Sequence, residues 1–129
     1  MDSKYSLGIT ELDSQHAEIE ALFIALEESP DYKEGWHARL ESLCEKLRFH
    51  FHAEESIMQI FAYPETQEHK RKHLEILKSV ESYKDKQLTK ADIRKLKEQP
   101  MQLFLDQILS QDMGFAEFIK RNKERLGIA

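Results

Sequence analysis

Along this chain the residues that read as buried recur in alternating steps of four and three, and no other feature restricts its fold so much. Leu12, His16, Ile19, Phe23 and Leu26 form a first stripe; Trp36, Leu40, Leu43, Leu47, His50, Glu54, Ile57 and Phe61 form a second. His69, His73, Ile76, Val80 and Tyr83 form a third; Ile93, Leu96, Pro100, Leu103 and Gln107 form a fourth. This spacing keeps one face of a helix against neighbours that cross at a shallow angle. Strand-like alternation is absent. Four such segments with short connections predict an all-α fold: an up-down-up-down four-helix bundle with a short C-terminal helix.

The helix breakers agree. There are only 4 Gly and 3 Pro in the chain. Gly8 precedes the first segment, Pro30 and Gly35 part the first from the second, and Pro64 parts the second from the third. The third is expected to run to about Lys86, and Gln87-Leu88-Thr89 before Ala91-Asp92 offers a cap for the fourth. Pro100 predicts a kink or a restart. Gly114 is expected to end the fourth helix, leaving Phe115 to Leu126 as the terminal one.

Size and charge narrow the function classes. The 129 residues fit a single domain over 1–129, and 40% hydrophobic with 33% charged residues fits a folded, soluble chain. No apolar run approaches the roughly 20 residues of a membrane span, and Met1-Asp2-Ser3-Lys4-Tyr5 does not open a signal peptide. A net charge of -5 argues against a nucleic-acid surface. The lone Cys44 excludes an internal disulfide framework and a Cys-rich zinc site. A cytoplasmic protein with neither nucleic-acid nor membrane partners is expected.

The seam carries polar residues in one place on every helix. His16, His50, Glu54, His69, His73 and Gln107 stand where Leu or Ile belongs. A buried His or Glu without partners costs several kcal/mol or loses its charge. In an antiparallel bundle the start of one helix neighbours the end of the next. His16 and the His69/His73 pair start their helices, whereas His50, Glu54, Gln107 and Asp112 come late in theirs. All of them therefore fall in one layer.

The chemistry of that layer reads as metal. His50-x-x-x-Glu54 and His69-x-x-x-His73 place two donors on one helical face, about 6 Å apart. Imidazole with carboxylate suits iron, manganese or zinc. Four His, a Glu and an Asp are too many for one tetrahedral zinc; they suit two metals bridged by carboxylates. Asp112 lies five residues after Gln107, so it points inward only if the helix frays or bulges there.

These residues also resemble a known family. Tyr5-Ser6-Leu7-Gly8-Ile9 leading to Asp13-Ser14-Gln15-His16, His50-Phe51-x-x-Glu54-Glu55-x-x-Met58, Tyr63-Pro64, His69-x-x-x-His73 and Asp112 together look like a hemerythrin of the bacterial single-domain kind. The resemblance implies a non-haem di-iron site with two iron ions, an oxo or hydroxo bridge, and O2 bound end-on at one iron. Carried over, His16 and His50 would hold the O2-binding iron, His69 and His73 the other, and Glu54 and Asp112 would bridge. The metal's identity comes from the resemblance, since the ligands alone would accept manganese.

One departure bears on function. The family's last motif is His-x4-Asp, usually preceded by Trp-Leu; here Gln107 stands for the His and Leu103 for the Trp. The family's N-terminal Trp is missing too, the only one being Trp36. Gln107 would ligate weakly through its amide oxygen, hold a water in the vacant position, or leave the iron five-coordinate. Each opens the second iron and favours turnover of O2 or peroxide over storage. A passive replacement is the plainer alternative.

Other residues take ordinary readings. His37 is expected in solvent, His52 pointing away from the layer, and Glu55 facing another way than Glu54, as a surface acid or as one behind the ligands. Asp13 is expected to cap the first helix. Phe23, Phe51, Ile57, Phe104 and Ile108 would wall the pocket, Cys44 would be an inert core thiol, and Lys84 to Lys97 a solvated face. Two functions stay open: O2 binding for storage, delivery or sensing, or an oxidoreductase reducing O2 or peroxide with an unidentified redox or signalling partner. A purely structural or metal-handling bundle is the third.

Overall fold

The computed structural model describes residues 2–28 and 33–125; the joint expected at Pro30 and the helix end expected at Leu126 lie outside the described residues. A 3-10 turn, Ser3–Tyr5, leads into α1 (Thr10–Glu27), α2 (Lys33–Ile60) and α3 (Thr66–Glu81). Then come α4 (Lys90–Glu98), α5 (Pro100–Gln107), a π-turn (Ile108–Asp112) and α6 (Met113–Arg125). No strand occurs among the described residues. α1 packs on α2 and α4, α2 on α3, and α3 on α5, which closes a four-helix bundle whose fourth member is the α4–α6 run.

Local chemistry explains the joints. Ile9 caps α1 with no side-chain bond. Asp13, one turn in, instead accepts from Leu7 N–H at 2.8 Å, Gly8 N–H at 3.2 Å and the Ser6 hydroxyl at 3.2 Å. Asp13 thus pins the loop before the helix and is not its N-cap. Gly8 is required there: its φ is +79°, and an added Cβ would lie 2.7 Å from Lys120 Nζ. That ammonium donates to the Leu7 carbonyl at 2.7 Å and ties α6 to the N-terminal loop.

α2 ends in a Schellman turn. Ala62 takes φ 52°, Tyr63 N–H donates to the Met58 carbonyl at 2.9 Å, and Ala62 N–H to Gln59 at 3.2 Å. Pro64 follows as the expected joint. α3 stops at Glu81, short of the expected Lys86, because residues 82–86 turn. Thr89 and Asp92 form the capping box of α4, and Pro100 restarts the chain as the first residue of α5, where its missing N–H costs nothing. Gly35 sits inside the first turn of α2, and Gly114 sits inside α6; neither is a joint.

The expected stripes are buried on α1 and along α2 as far as Glu54. Beyond that, Met58 is buried in place of Ile57. On α5, Phe104 is buried in place of Leu103, which is 47% exposed. Tyr83 and Phe61 are only half-buried. Met58, Tyr63, Phe115 and Ile119 make a second small core where α6 covers the α2–α3 turn.

Candidate metal centre

Each helix brings its polar residues inward by the same geometry that buries its apolar ones. His16 follows Leu12 on the α1 stripe. His50 and Glu54 lie one turn apart on α2, as do His69 and His73 on α3. Asp112 needs more. In a regular α-helix residues five apart diverge by about 140°. The π-turn closes that gap: Met113 N–H bonds back five residues to the Ile108 carbonyl. Gln107 and Asp112 therefore share the buried face. The bulge does this, with no fraying and no help from Gly114.

His16, His50, Glu54, His69, His73 and Asp112 are each at most 2% exposed. They divide into two overlapping donor groups, His16/His50/Glu54/Asp112 and Glu54/His69/His73/Asp112. Within each group the donor atoms lie within 4.8 Å of one another. Both carboxylates are split between the groups. Glu54 Oε2 is 3.0 Å from His50 Nε2 and 3.9 Å from His16 Nε2, while its Oε1 is 2.8 Å from His69 Nε2 and 3.6 Å from His73 Nε2. Asp112 Oδ2 is 3.3 Å from His16 Nε2, and its Oδ1 is 2.7 Å from His69 Nε2.

Several of these contacts are close without being hydrogen bonds. Both Glu54 oxygens, Asp112 Oδ1, His69 Nε2 and His73 Nε2 are buried and satisfied by no hydrogen bond. Buried polar atoms are rarely left so. Lone pairs converging from four helices are what a cation would satisfy, and the nitrogen-and-carboxylate donor set fits a transition metal.

The electrostatics point the same way. Burial alone would lower the His16 and His69 pKa values, yet the carboxylates of Asp112 and Glu54 beside them hold both up at about 9. Burial opposes ionisation of Glu54, and four surrounding imidazoles override it, holding the carboxyl well below its usual range. The converging carboxylates thus favour positive charge in the layer.

Apolar rings and two polar side chains shape the site from outside. Phe104 meets His16 edge-on at 5.7 Å between ring centroids, Phe51 stacks on His73 at 4.0 Å, and Phe115 lies 6.1 Å from His69. The Nδ1–H of His50 donates to Gln15 at 2.6 Å, and that of His73 to Glu55 at 2.7 Å.

A family model described as Hemerythrin HHE cation binding domain matches residues 7–120. The chain belongs to the hemerythrin family. No significant match was found among curated proteins or among solved structures. As a hemerythrin-family chain it carries His/Glu/Asp clusters suited to a metal site.

Every expected His, Glu and Asp is thus gathered in one layer. Gln107 is buried there with its Nε2 making no hydrogen bond, and it shares a cleft of ≈ 330 Å³ with Ile76 and Leu103. His52 is exposed as expected, whereas His37 is half-buried. Cys44 is buried, its thiol pushed up to about 11 by burial. Phe51 and Phe104 wall the site as expected; Ile57 packs instead toward α6. Gln15 and Phe115 were not expected at the site, whereas Glu55, expected as a surface acid or as one behind the ligands, is the latter. Phe115 was hidden by the expected helix end at Gly114, and which imidazole Gln15 and Glu55 each meet depends on how neighbouring helices register.

Proposed function

We propose that this hemerythrin-family chain, a single domain over residues 1–129, holds two iron ions in the buried layer and binds O2 there for storage, delivery or sensing. The observation that carries the reading is the division of both carboxylates. Glu54 and Asp112 each present one oxygen to the His16/His50 side and one to the His69/His73 side. One cation would leave half of these donors idle; two, bridged by Glu54 and Asp112, use them all.

Bound there, two irons would supply the electrons that O2 takes up. The chain's own residues do the rest. His16 and His50 would hold one ion, and His69 and His73 the other. Phe51, Phe104 and the fully buried Ile108 keep water from the small ligand. The free, buried Cys44 fits a cytoplasmic setting. Among the described residues no helix is long and apolar enough to cross a membrane. Metal analysis of anaerobically purified protein should give two irons per chain, and O2 added to the reduced form should raise a persistent visible charge-transfer band. One iron or none, or another metal, would sink the reading.

Gln107 favours a second reading, an oxidoreductase that reduces O2 or peroxide. Its buried amide, whose nitrogen makes no hydrogen bond, lines the α3–α5 cleft and so borders the helix of the His69/His73 pair. Gln107→His should then slow autoxidation and lengthen the life of the oxygenated form. Oxidation at the parent's rate would refute the open position.

A further inference from the structure

Each donor group contains one imidazole whose outer nitrogen is held by a side chain and one that is not. His50 is held by Gln15 at 2.6 Å and His73 by Glu55 at 2.7 Å. The Nδ1 atoms of His16 and His69 make no hydrogen bond. The two holders differ in charge, since Gln15 offers a neutral amide oxygen and Glu55 a carboxylate. His73 is gripped on a second side as well. The Phe51 ring lies against it at 4.0 Å and 11° between planes, whereas His69 meets His73 edge-on at 74°.

The charged holder sits on the group whose two histidines come from α3. Gln107 lines a cleft with Lys72, Glu75 and Ile76, so it borders α3, the helix that carries His69 and His73; the family pattern, which has a histidine at this position, puts the missing imidazole on that side. A carboxylate that accepts the outer N–H of a ligand histidine fixes its tautomer and ring angle and strengthens its other nitrogen as a donor. A neutral amide does the first and much less of the second.

We propose that Glu55 is a positioning residue that compensates for Gln107: it makes His73 the strongest imidazole donor of the layer and so retains the cation of the His69/His73 group. This rests on the two-metal reading above. It accounts for the asymmetry between Gln15 and Glu55, which an ordinary structural hydrogen bond would not require.

Glu55→Gln tests it, because the variant keeps an acceptor for His73 and removes only the charge. Glu55 is 21% exposed, in the α2–α3 groove with Arg48, His52 and Lys70, so no cavity is opened. Co(II) is titrated anaerobically into the metal-free protein, and its d–d absorption reports each site as it fills. The parent should take up two Co(II). The variant should bind one with parental affinity and the other about 10–100-fold more weakly. Adding Gln107→His to the variant should restore the weakened site. Two parental affinities in Glu55→Gln overturn the proposal, as does a double variant no better than the single one. A lower melting point of the metal-free variant would mark Glu55 as a folding residue and overturn it too. A parent that takes up a single Co(II) would remove the two-metal reading itself, a result distinct from the others.

Discussion

At one end of the bundle Leu40, Leu43, Cys44 and Leu47 of α2 join Leu26 of α1, Val80 of α3 and Leu96 of α4, none more than 1% exposed. At the other end α1, α2, α3 and the π-turn after α5 bury four imidazoles and two carboxylates, none more than 2% exposed. The first end gains free energy from every side chain it removes from water, about 1.5–3 kcal/mol for each large apolar one. The second loses free energy for each unpaired polar atom and recovers it by mutual charge pairing or by a cation. The apolar end therefore carries the fold, and the polar end is free to carry chemistry. The two should respond differently to substitution, to metal and to pH.

The largest separation is expected from Glu54→Ala. Among the described residues Glu54 alone faces all four imidazoles, so its loss removes a donor from both groups at once. Most bound metal should be lost while the helix content measured by circular dichroism stays. Retention of two metals per chain would show that Glu54 bridges nothing. The reciprocal change is Leu43→Ala at the apolar end. It should cost about 2–5 kcal/mol in denaturant unfolding and leave the metal content unchanged. If it also empties the site, the two ends are not separable.

How much of this was readable beforehand follows the same division. Imidazoles and carboxylates stand out against an apolar stripe, so His16, His50, Glu54, His69 and His73 were legible by position alone. Asp112 was legible only conditionally, because a single extra residue in one turn, the π-turn at Ile108–Asp112, decides which way it points. Neighbouring apolar residues defeat the periodicity. Ile57-Met58 and Leu103-Phe104-Leu105 contain a hydrophobe at either phase, and packing buried Met58, Phe104 and Leu105. Contacts between helices were out of reach. Glu55 and His73 meet only because α2 and α3 settle in one register, which no local pattern encodes.

A pH series distinguishes the ends again, by a smaller amount. In the metal-free protein His16 and His69 have pKa values raised from 6.5 to about 9, so their contribution is complete below pH 6.5 and is lost as pH rises through about 9. Glu54 is depressed below 4.5, so its contribution is present above that pH and is lost as pH falls through its lowered value. Metal-free protein should be most stable between pH 4.5 and 6.5. Metal needs the rings deprotonated, so binding tightens with rising pH. Thermal unfolding with and without chelator should show the two curves diverging above pH 6.5. Parallel curves there would mean that the cation does not occupy the imidazole layer.

The smallest expected effect comes from a residue that serves neither core directly. Ala62 holds a left-handed φ of 52° so that the α2–α3 turn can deliver Tyr63 against Phe115 and Phe118, at 5.1 and 4.9 Å between centroids. A left-handed conformation costs a residue with a Cβ roughly 1–2 kcal/mol. Glycine removes that strain but adds freedom to the unfolded chain, worth roughly 0.4–1 kcal/mol against it. Ala62→Gly should therefore raise stability by at most about 1.6 kcal/mol, a few degrees in Tm for a chain of this size. Because the turn positions α3 as a whole and not its histidines singly, metal content should not change. A variant that melts lower than the parent would mean that the Ala62 methyl packs usefully and that the turn is not strained.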